Sequence, residues 1–440
     1  MNEEYRDLMS EDDVWTEGMV TRRRFIGFGV SAAGALGATL LVPAPWQSAF
    51  GKEKAIKVGG IQPLTGPGAG GGLMAKVGQE VAVNRINKTG GVNGRPISLV
   101  VEDSEGKPAI GLRKTRKLLE RDRIDAGQGG FMSNVCIACM GEYKKQRVVN
   151  MIGVCLDTTI TTSRCNRYTF RPFDFAPAQA VAFSPYLVNN LGKKWHIIYV
   201  DYSWGQSTKD AYREAIHKNG GQVVGTTGIP FGTADMVPFL SKIKGNFDGL
   251  YMIFFGKDGV TVVTQSYDLG LHKRYRFAGD GAAVVAGTNL PAQKEKALGF
   301  VGIDRYLPIL EGPLNTTHHK KFYDTVLAYT KKYDPKGILP DRYTQANYEA
   351  MNVLKTGMAK SGFRGREDTD KLIAALEGLR VKLSDDFITG DKHLRKEDHQ
   401  AFTSEYLVEV VKGNGDVPSP KILKVVPPEK PSVPPALEFS

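Results

Sequence analysis

From residue 54 onward, short apolar runs alternate with longer stretches whose apolar positions recur every three or four residues. The short runs predict buried strands and the longer ones amphipathic helices, the signature of βαβ units on a mostly parallel sheet. Ile56 to Ile61 reads as a strand, and Met74, Val77 and Val81 trace a helix from Leu73 to Asn87 that Gly90-Gly91 ends. A strand at 97–101, a helix at 108–121 and a short strand at 124–127 follow. After Pro177 the alternation restarts with a helix at 178–191, a strand at 195–200, a helix at 206–219 and a strand at 221–225. A strand at 249–255 and a helix at 259–269 extend this second half. The helices predicted at 318–333, 341–361 and 369–378 complete no α/β unit by themselves and are expected to pack back onto the first half. Residues 403–411 form a closing strand, and the Pro-rich segment 417–440 is expected as an extended tail.

The 440 residues, 41% apolar and 24% charged, suffice for two or three domains and exclude disorder as the main description. Four cysteines cannot carry the fold, and no apolar run after Val42 is long enough for a multi-spanning membrane protein. The net charge of +11 is spread over helix positions such as Arg113, Lys114, Arg116 and Lys117. No basic tract interleaved with aromatics occurs, so nucleic acid is not expected as a partner.

Thr21-Arg22-Arg23-Arg24-Phe25-Ile26 precedes a Gly/Ala-rich apolar run from Gly27 to Val42, the pattern of a twin-arginine export signal. Residues 1–51 are assigned to that signal, with cleavage near Ala49 and the Tat translocase as partner during export. No Cys follows the apolar run to take a lipid, so a free periplasmic protein is expected. Loss of residues 1–49 raises the net charge to +14. In an oxidising compartment Cys136, Cys139, Cys155 and Cys165 can pair in three ways. A zinc site on Cys136-x-x-Cys139 is the rival, and it lacks a nearby His.

Gly66-Pro67-Gly68-Ala69-Gly70-Gly71 fits G-x-G-x-x-G between a strand and a helix, which makes an exported NAD(P)-dependent oxidoreductase the enzyme alternative. The acid that would hold the ribose about 20 residues on is missing. No G-x-S-x-G, H-E-x-x-H, P-loop or metal-ligand spacing is present, and His399 reads as a structural histidine. Neither catalysis nor a cofactor is expected. What stands out is polar and aromatic residues just past strand ends, where open α/β sheets bind ligands. Ser133, Asp157, Thr158, Trp204, Phe255 and Asp280 all occupy such positions.

Gln62 to Pro67, Asn87 to Gly94, Gly129 to Ser133, Tyr168 to Arg171, Asp201 to Gly205 and Asp398 to Gln400 together resemble the leucine/isoleucine/valine-binding type of periplasmic solute receptor. The segments occur in that family's order across roughly residues 54–412. The resemblance implies a type I periplasmic-binding-protein fold: two doubly wound parallel-sheet α/β lobes joined by three crossings, closing on a small ligand and delivering it to an ABC permease. It divides the chain into 52–175 and 304–400 for lobe one, 176–303 and 401–416 for lobe two, and 417–440 as tail. By position, Ser133 resembles the serine that holds a ligand carboxylate, and Cys155, Leu156, Asp157 and Thr158 the loop beside it. Trp204 and Phe255 resemble the aromatic wall of the second lobe, and Asp280 the acid that meets an α-ammonium.

Three features depart from that pattern. Gly70-Gly71-Gly72 replaces an aromatic of the first loop, Trp204 and Phe255 stand where tyrosines are frequent, and Asp157 brings an acid near the carboxylate end. The expected function is therefore a monomeric ABC-importer binding protein for a small polar solute, an amino acid first. An aromatic or aliphatic carboxylate, a short amide such as urea, and a sensing role beside a membrane receptor remain as alternatives.

Overall fold

The computed structural model describes residues 54–413 and 415–427. Residues 1–51, expected as an export signal, and the residues beyond 427, expected as a tail, lie outside the described residues. Among those described, no helix is long and apolar enough to cross a membrane.

The first lobe is built on β1 (Ile56–Gln62), α1 (Ala69–Lys88), β2 (Ile97–Asp103), α2 (Pro108–Arg116), β3 (Ala126–Gly129), α3 (Ser133–Gln146), β4 (Asn150–Ile152) and β5 (Thr169–Phe170). The strand order is β2-β1-β3-β4-β5, parallel throughout. β1 is buried along nearly its whole length, as a strand covered on both faces must be. α1 begins at Ala69, four residues before the predicted start. Three successive glycines are poor helix formers, but here they permit close approach. A Cβ on Gly72 would lie 1.9 Å from the Pro63 carbonyl oxygen, and one on Gly71 2.4 Å from the Phe131 ring.

The second lobe contains α4 (Ala176–Tyr186), β6 (Lys194–Val200), α5 (Ser203–Lys218), β7 (Gln222–Ile229), β8 (Gly249–Ile253), α6 (Gly256–Asp268), β9 (Arg276–Asp280) and β10 (Val301–Asp304). α7 (Thr317–Thr330), α8 (Arg342–Ser361), α9 (Thr369–Leu376) and the short strands β11 (Arg380–Val381) and β12 (Lys392–His393) return to the first lobe. There α8 lies against α1, and Gly78 allows the contact because a Cβ would meet the Thr344 carbonyl oxygen at 2.1 Å. β13 (Glu405–Val411) and β14 (Ser419–Val426) finish the second sheet, whose order is β14-β13-β10-β9-β8-β6-β7. β13 pairs antiparallel with both β10 and β14, and the other neighbours are parallel. Residues 419–426, expected as part of an unpaired tail, are thus a sheet strand. Pro420 is tolerated because β14 is an edge strand. β10 escaped prediction because its four residues contain Gly302 and Asp304 and show no long apolar run.

The chain passes between sheets after β5, after β10 and before β13, so three segments join the lobes. Arg171 and Gln400 hold two of these side by side. Gln400 Oε1 accepts from Arg171 Nε at 2.7 Å, and Arg171 N donates to the His399 carbonyl oxygen at 2.9 Å. Arg171 Nη1 also reaches the carbonyl oxygens of Cys155 and Asp157 at 3.1 and 2.8 Å.

His399 sits at φ +57°, fully buried, its ring stacked 3.7 Å from that of Phe170. Burial pushes its pKa down to about 3, so the folded protein keeps the ring neutral while an unfolded chain protonates near pH 6.5. Stability at this site is therefore complete above pH 6.5 and falls as the pH drops from there toward 3, by about 1.4 kcal/mol per pH unit at most. His399→Asn, with a side chain that accepts positive φ, should show a shallower loss of urea midpoint between pH 7 and pH 4.5 than the wild type. Parallel pH profiles for the two proteins would contradict this account.

Candidate functional site

In both sheets the strand order reverses beside the first strand of the lobe, at β1/β3 and at β6/β8. Crevices at such switch points, beyond the carboxyl ends of the strands, are where open α/β sheets receive ligands. The two crevices face each other here. Between them lies a cavity of about 30 Å³ whose walls include Ser133 and Leu156 from the first lobe and Trp204, Phe255 and Asp280 from the second.

Ser133 is the first residue of α3, whose cap residue Met132 supplies no side-chain acceptor. The leading amides of this helix and its dipole favour an anion. Ser133 Oγ accepts from Asp157 N at 3.4 Å, which leaves the hydroxyl proton for another acceptor. Of the loop 155–158, Leu156 alone lines the cavity. Cys155 is joined to Cys136 in a disulfide and does not line the cavity. The zinc reading falls with it, and among the described residues no cluster of three His, Cys, Asp or Glu side chains could hold a metal ion. The Asp157 carboxylate turns away to cap the turn after it, accepting from Thr159 N at 2.8 Å and Thr159 Oγ1 at 2.6 Å. It does not put a negative charge into the cavity. Thr158 N instead donates across the cleft to Ser207 Oγ of α5 at 3.3 Å.

The walls are aromatic. Phe131 lies 5.6 Å from Phe255 and 4.8 Å from Tyr343, and Trp204 meets Phe255 edge-on at 5.7 Å. Phe131 and Tyr343 belong to the first lobe and Trp204 and Phe255 to the second, so the stack joins the two. Trp204 Nε1 and Tyr343 Oη are buried without a partner.

Two arginines that the sequence reading did not place here also line the cavity, Arg305 and Arg342. Arg342 Nη1 is 2.5 Å from Asp280 Oδ1, and Arg305 Nη1 is 3.0 Å from Asp174 Oδ1. All four side chains are 1% exposed. Asp280, expected to be open to an ammonium, is therefore already paired, and Oδ1 also accepts from Ala282 N at 2.8 Å. Burial alone would lower the Arg342 pKa, but Asp280 and Asp304 beside it raise it well above its ordinary value. Burial acts on Asp174 in the opposite sense and is outweighed by Arg305, which holds the carboxyl below its usual range. Glu405, buried against Asp174, is pushed well above the carboxylate range. One sequence signal could have found Arg342: a cation at the first position of a helix opposes the dipole and needs an anion nearby.

The Gly66–Gly71 run offers no cradle for a pyrophosphate. Gly68 caps α1, Gly70 and Gly71 lie inside it, and Gly71 faces the Phe131 ring. A wider groove of about 660 Å³ runs over the outer face of the first lobe between α1 and α7. Asp385 there accepts from His318 Nδ1 at 2.6 Å and from Lys321 Nζ at 2.8 Å. No buried polar atom of its described lining lacks a partner, in contrast to the cleft.

A family model described as periplasmic binding protein matches residues 55–415. The "Leu/Ile/Val-binding protein homolog 3" of Brucella melitensis is 26% identical over 311 residues, covering 70% of this chain and 79% of that protein. Among solved structures, an ABC transporter substrate-binding protein from Sphaerobacter thermophilus superposes with a TM-score of 0.75 at 23% identity, covering 85% of this chain and 98% of that one. A solute binding protein of an ABC transporter from Rhodopseudomonas palustris, in complex with p-hydroxybenzoic acid, gives 0.75 at 21% identity with the same coverage. These likenesses show the two-lobed type I fold.

The disulfide spans 19 residues and ties α3, which carries Ser133, to the loop after β4. Peptide mapping without reduction should recover Cys136 linked to Cys155, with Cys139 and Cys165 as thiols. Replacing both bridged cysteines by Ser should lower unfolding free energy by about 3 kcal/mol in urea titrations. An unchanged midpoint would show that the bridge does not stabilise the lobe.

Proposed function

The chain belongs to the periplasmic binding protein family, and we propose that it is the solute-capturing component of an ABC importer, closing its two lobes on a small organic carboxylate. The observation that carries this reading is the uncapped start of α3 with Ser133 facing an aromatic cavity across which the lobes meet. The carboxylate sits against the Ser133 hydroxyl and the α3 amides, where helix dipole and hydrogen bonds both favour it. The body of the ligand lies against Leu156, Trp204 and Phe255. Closure removes water and so strengthens each polar contact. The function is binding and delivery, with no chemical step.

The lobes act as 52–175 with 304–400 and 176–303 with 401–416, the second extended by β14, and a monomer suffices because each half-site comes from the same chain. Membership of the family supports a periplasmic location. Export by the Tat translocase rests on Arg22-Arg23 before the apolar run. Delivery to an inner-membrane permease is the role that relatives named as ABC substrate-binding proteins support.

A thermal-shift screen against amino acids, aromatic and aliphatic carboxylates and short amides tests the reading, since ligands that bind only the folded state raise its melting temperature. At least one carboxylate should do so. Ser133→Ala should weaken that ligand by about 1–3 kcal/mol in calorimetry, and Trp204→Ala by about tenfold or more. Wild-type affinity in both variants would place the binding site elsewhere.

A further inference from the structure

Asp280 and Arg342 come from opposite lobes. Asp280 ends β9 and Arg342 begins α8, 62 residues apart in sequence, and their side chains meet at 2.5 Å. A ligand ammonium docking on Asp280 would form that same contact between the lobes. Here a guanidinium of the protein occupies the place, further held by Asp304, whose Oδ1 lies 3.5 Å from Arg342 Nε.

The pair is incompletely satisfied. Arg342 Nη2 and Asp280 Oδ2 are buried without hydrogen-bond partners, as are Nε and Nη2 of Arg305. All three residues line the same cavity as Ser133, Asp280 from the second lobe and Arg342 from the lobe that carries Ser133. Buried polar groups that remain unpaired are costly, and a ligand able to pair them gains correspondingly. An orphan acceptor on Asp280 beside orphan donors on the arginines calls for a group that both donates and accepts, which a hydroxyl does and an ammonium does not.

We propose that Arg342 is a specificity-determining residue: it takes the place of a ligand ammonium on Asp280, so that the site rejects α-amino acids and selects an aromatic carboxylate bearing a ring hydroxyl. The inference rests on the carboxylate reading given above and adds the other end of the ligand. The ring would lie among Phe131, Trp204, Phe255 and Tyr343, which touch one another around about 30 Å³ and must part to admit it, while the hydroxyl donates to Asp280 and accepts from Arg342. An α-amino acid would bring a second cation to an acid that already has one, and would leave the guanidinium donors unpaired.

Calorimetric titration of the wild-type protein with 4-hydroxybenzoate, benzoate, leucine and tyrosine tests this directly. The expected order is 4-hydroxybenzoate tighter than benzoate by about tenfold or more, with neither amino acid bound. Arg342→Met should weaken 4-hydroxybenzoate by about tenfold or more and give measurable binding of leucine or tyrosine through the released Asp280. Arg342→Lys, which keeps the cation, should continue to reject both amino acids, and Asp280→Asn combined with Arg342→Met should abolish the gain. Wild-type binding of leucine or tyrosine would overturn the assignment of Arg342 while leaving a solute-binding protein in place. Equal affinity for benzoate and 4-hydroxybenzoate would remove the hydroxyl contact and overturn the inference as well. Silence toward all four compounds, with a response to amides alone in the wider screen, would overturn the carboxylate reading and this inference with it.

Discussion

Three guanidinium groups are held away from water where the connecting segments converge; Arg171 bonds Gln400 and backbone carbonyls, and the relation between the lobes depends on how the other two are neutralised. Arg305 sits on the segment leaving β10 and pairs with Asp174 on the segment leaving β5. Arg342 pairs with Asp280 across the cleft. Removing an ion from water costs several kcal/mol, which a partner repays only with good geometry and further hydrogen bonds. The acids respond accordingly. Asp174 stays below the usual carboxylate range, whereas burial and the neighbouring Asp174 push Glu405 well above it, so that one of the two keeps its proton. The cluster is therefore close to balanced without a bulk counter-ion, and losing either arginine would leave a buried carboxylate exposed to the same penalty.

This cluster also explains why aromatic residues can form the rest of the cleft. Phe131, Trp204, Phe255 and Tyr343 offer large area and few directional demands, so the lobes can meet on them without a precise polar match. Direction comes instead from the charged floor and from the start of α3. The cavity thus has an apolar middle between two polar ends, one built from helix amides and a serine, the other from arginines and an acid. Closure brings those ends to a separation that the fold determines, since each is anchored at the carboxyl end of a sheet.

Much of this was readable along the chain because strand ends are local features. Ser133, Trp204, Phe255 and Asp280 follow short apolar runs, and all four line the cavity. Leu156 came in only with the loop 155–158 that the family resemblance implies, and position alone did not separate it from Cys155, Asp157 and Thr158. What separates them is a disulfide, a cap on the next turn and a contact across the cleft, each depending on a partner that spacing does not reveal. The early start of α1 was hidden for a related reason. Three glycines predict a loop, and only the nearness of Pro63 and Phe131 shows why a helix there requires them. β14 was missed because prolines argue against a strand until its edge position is known.

Arg342 lay furthest from view, and its local setting shows what maintains it. Asp341 caps α8 through Tyr343 N at 3.0 Å and Thr344 N at 2.9 Å, so the carboxylate that would normally welcome a neighbouring cation is already spent on amides. Burial, with the charge of nearby Asp304, pushes Asp341 up to about 6, against the pull of those amides. Arg342, at the positive end of the helix, must then find its anion in the other lobe. That anion is Asp280, whose capping of the turn at Ala282 prevents it from moving toward the first lobe on its own. The contact can form only when the lobes approach. A single misplaced-looking cation thus links helix electrostatics, lobe closure and the charge a ligand must lack.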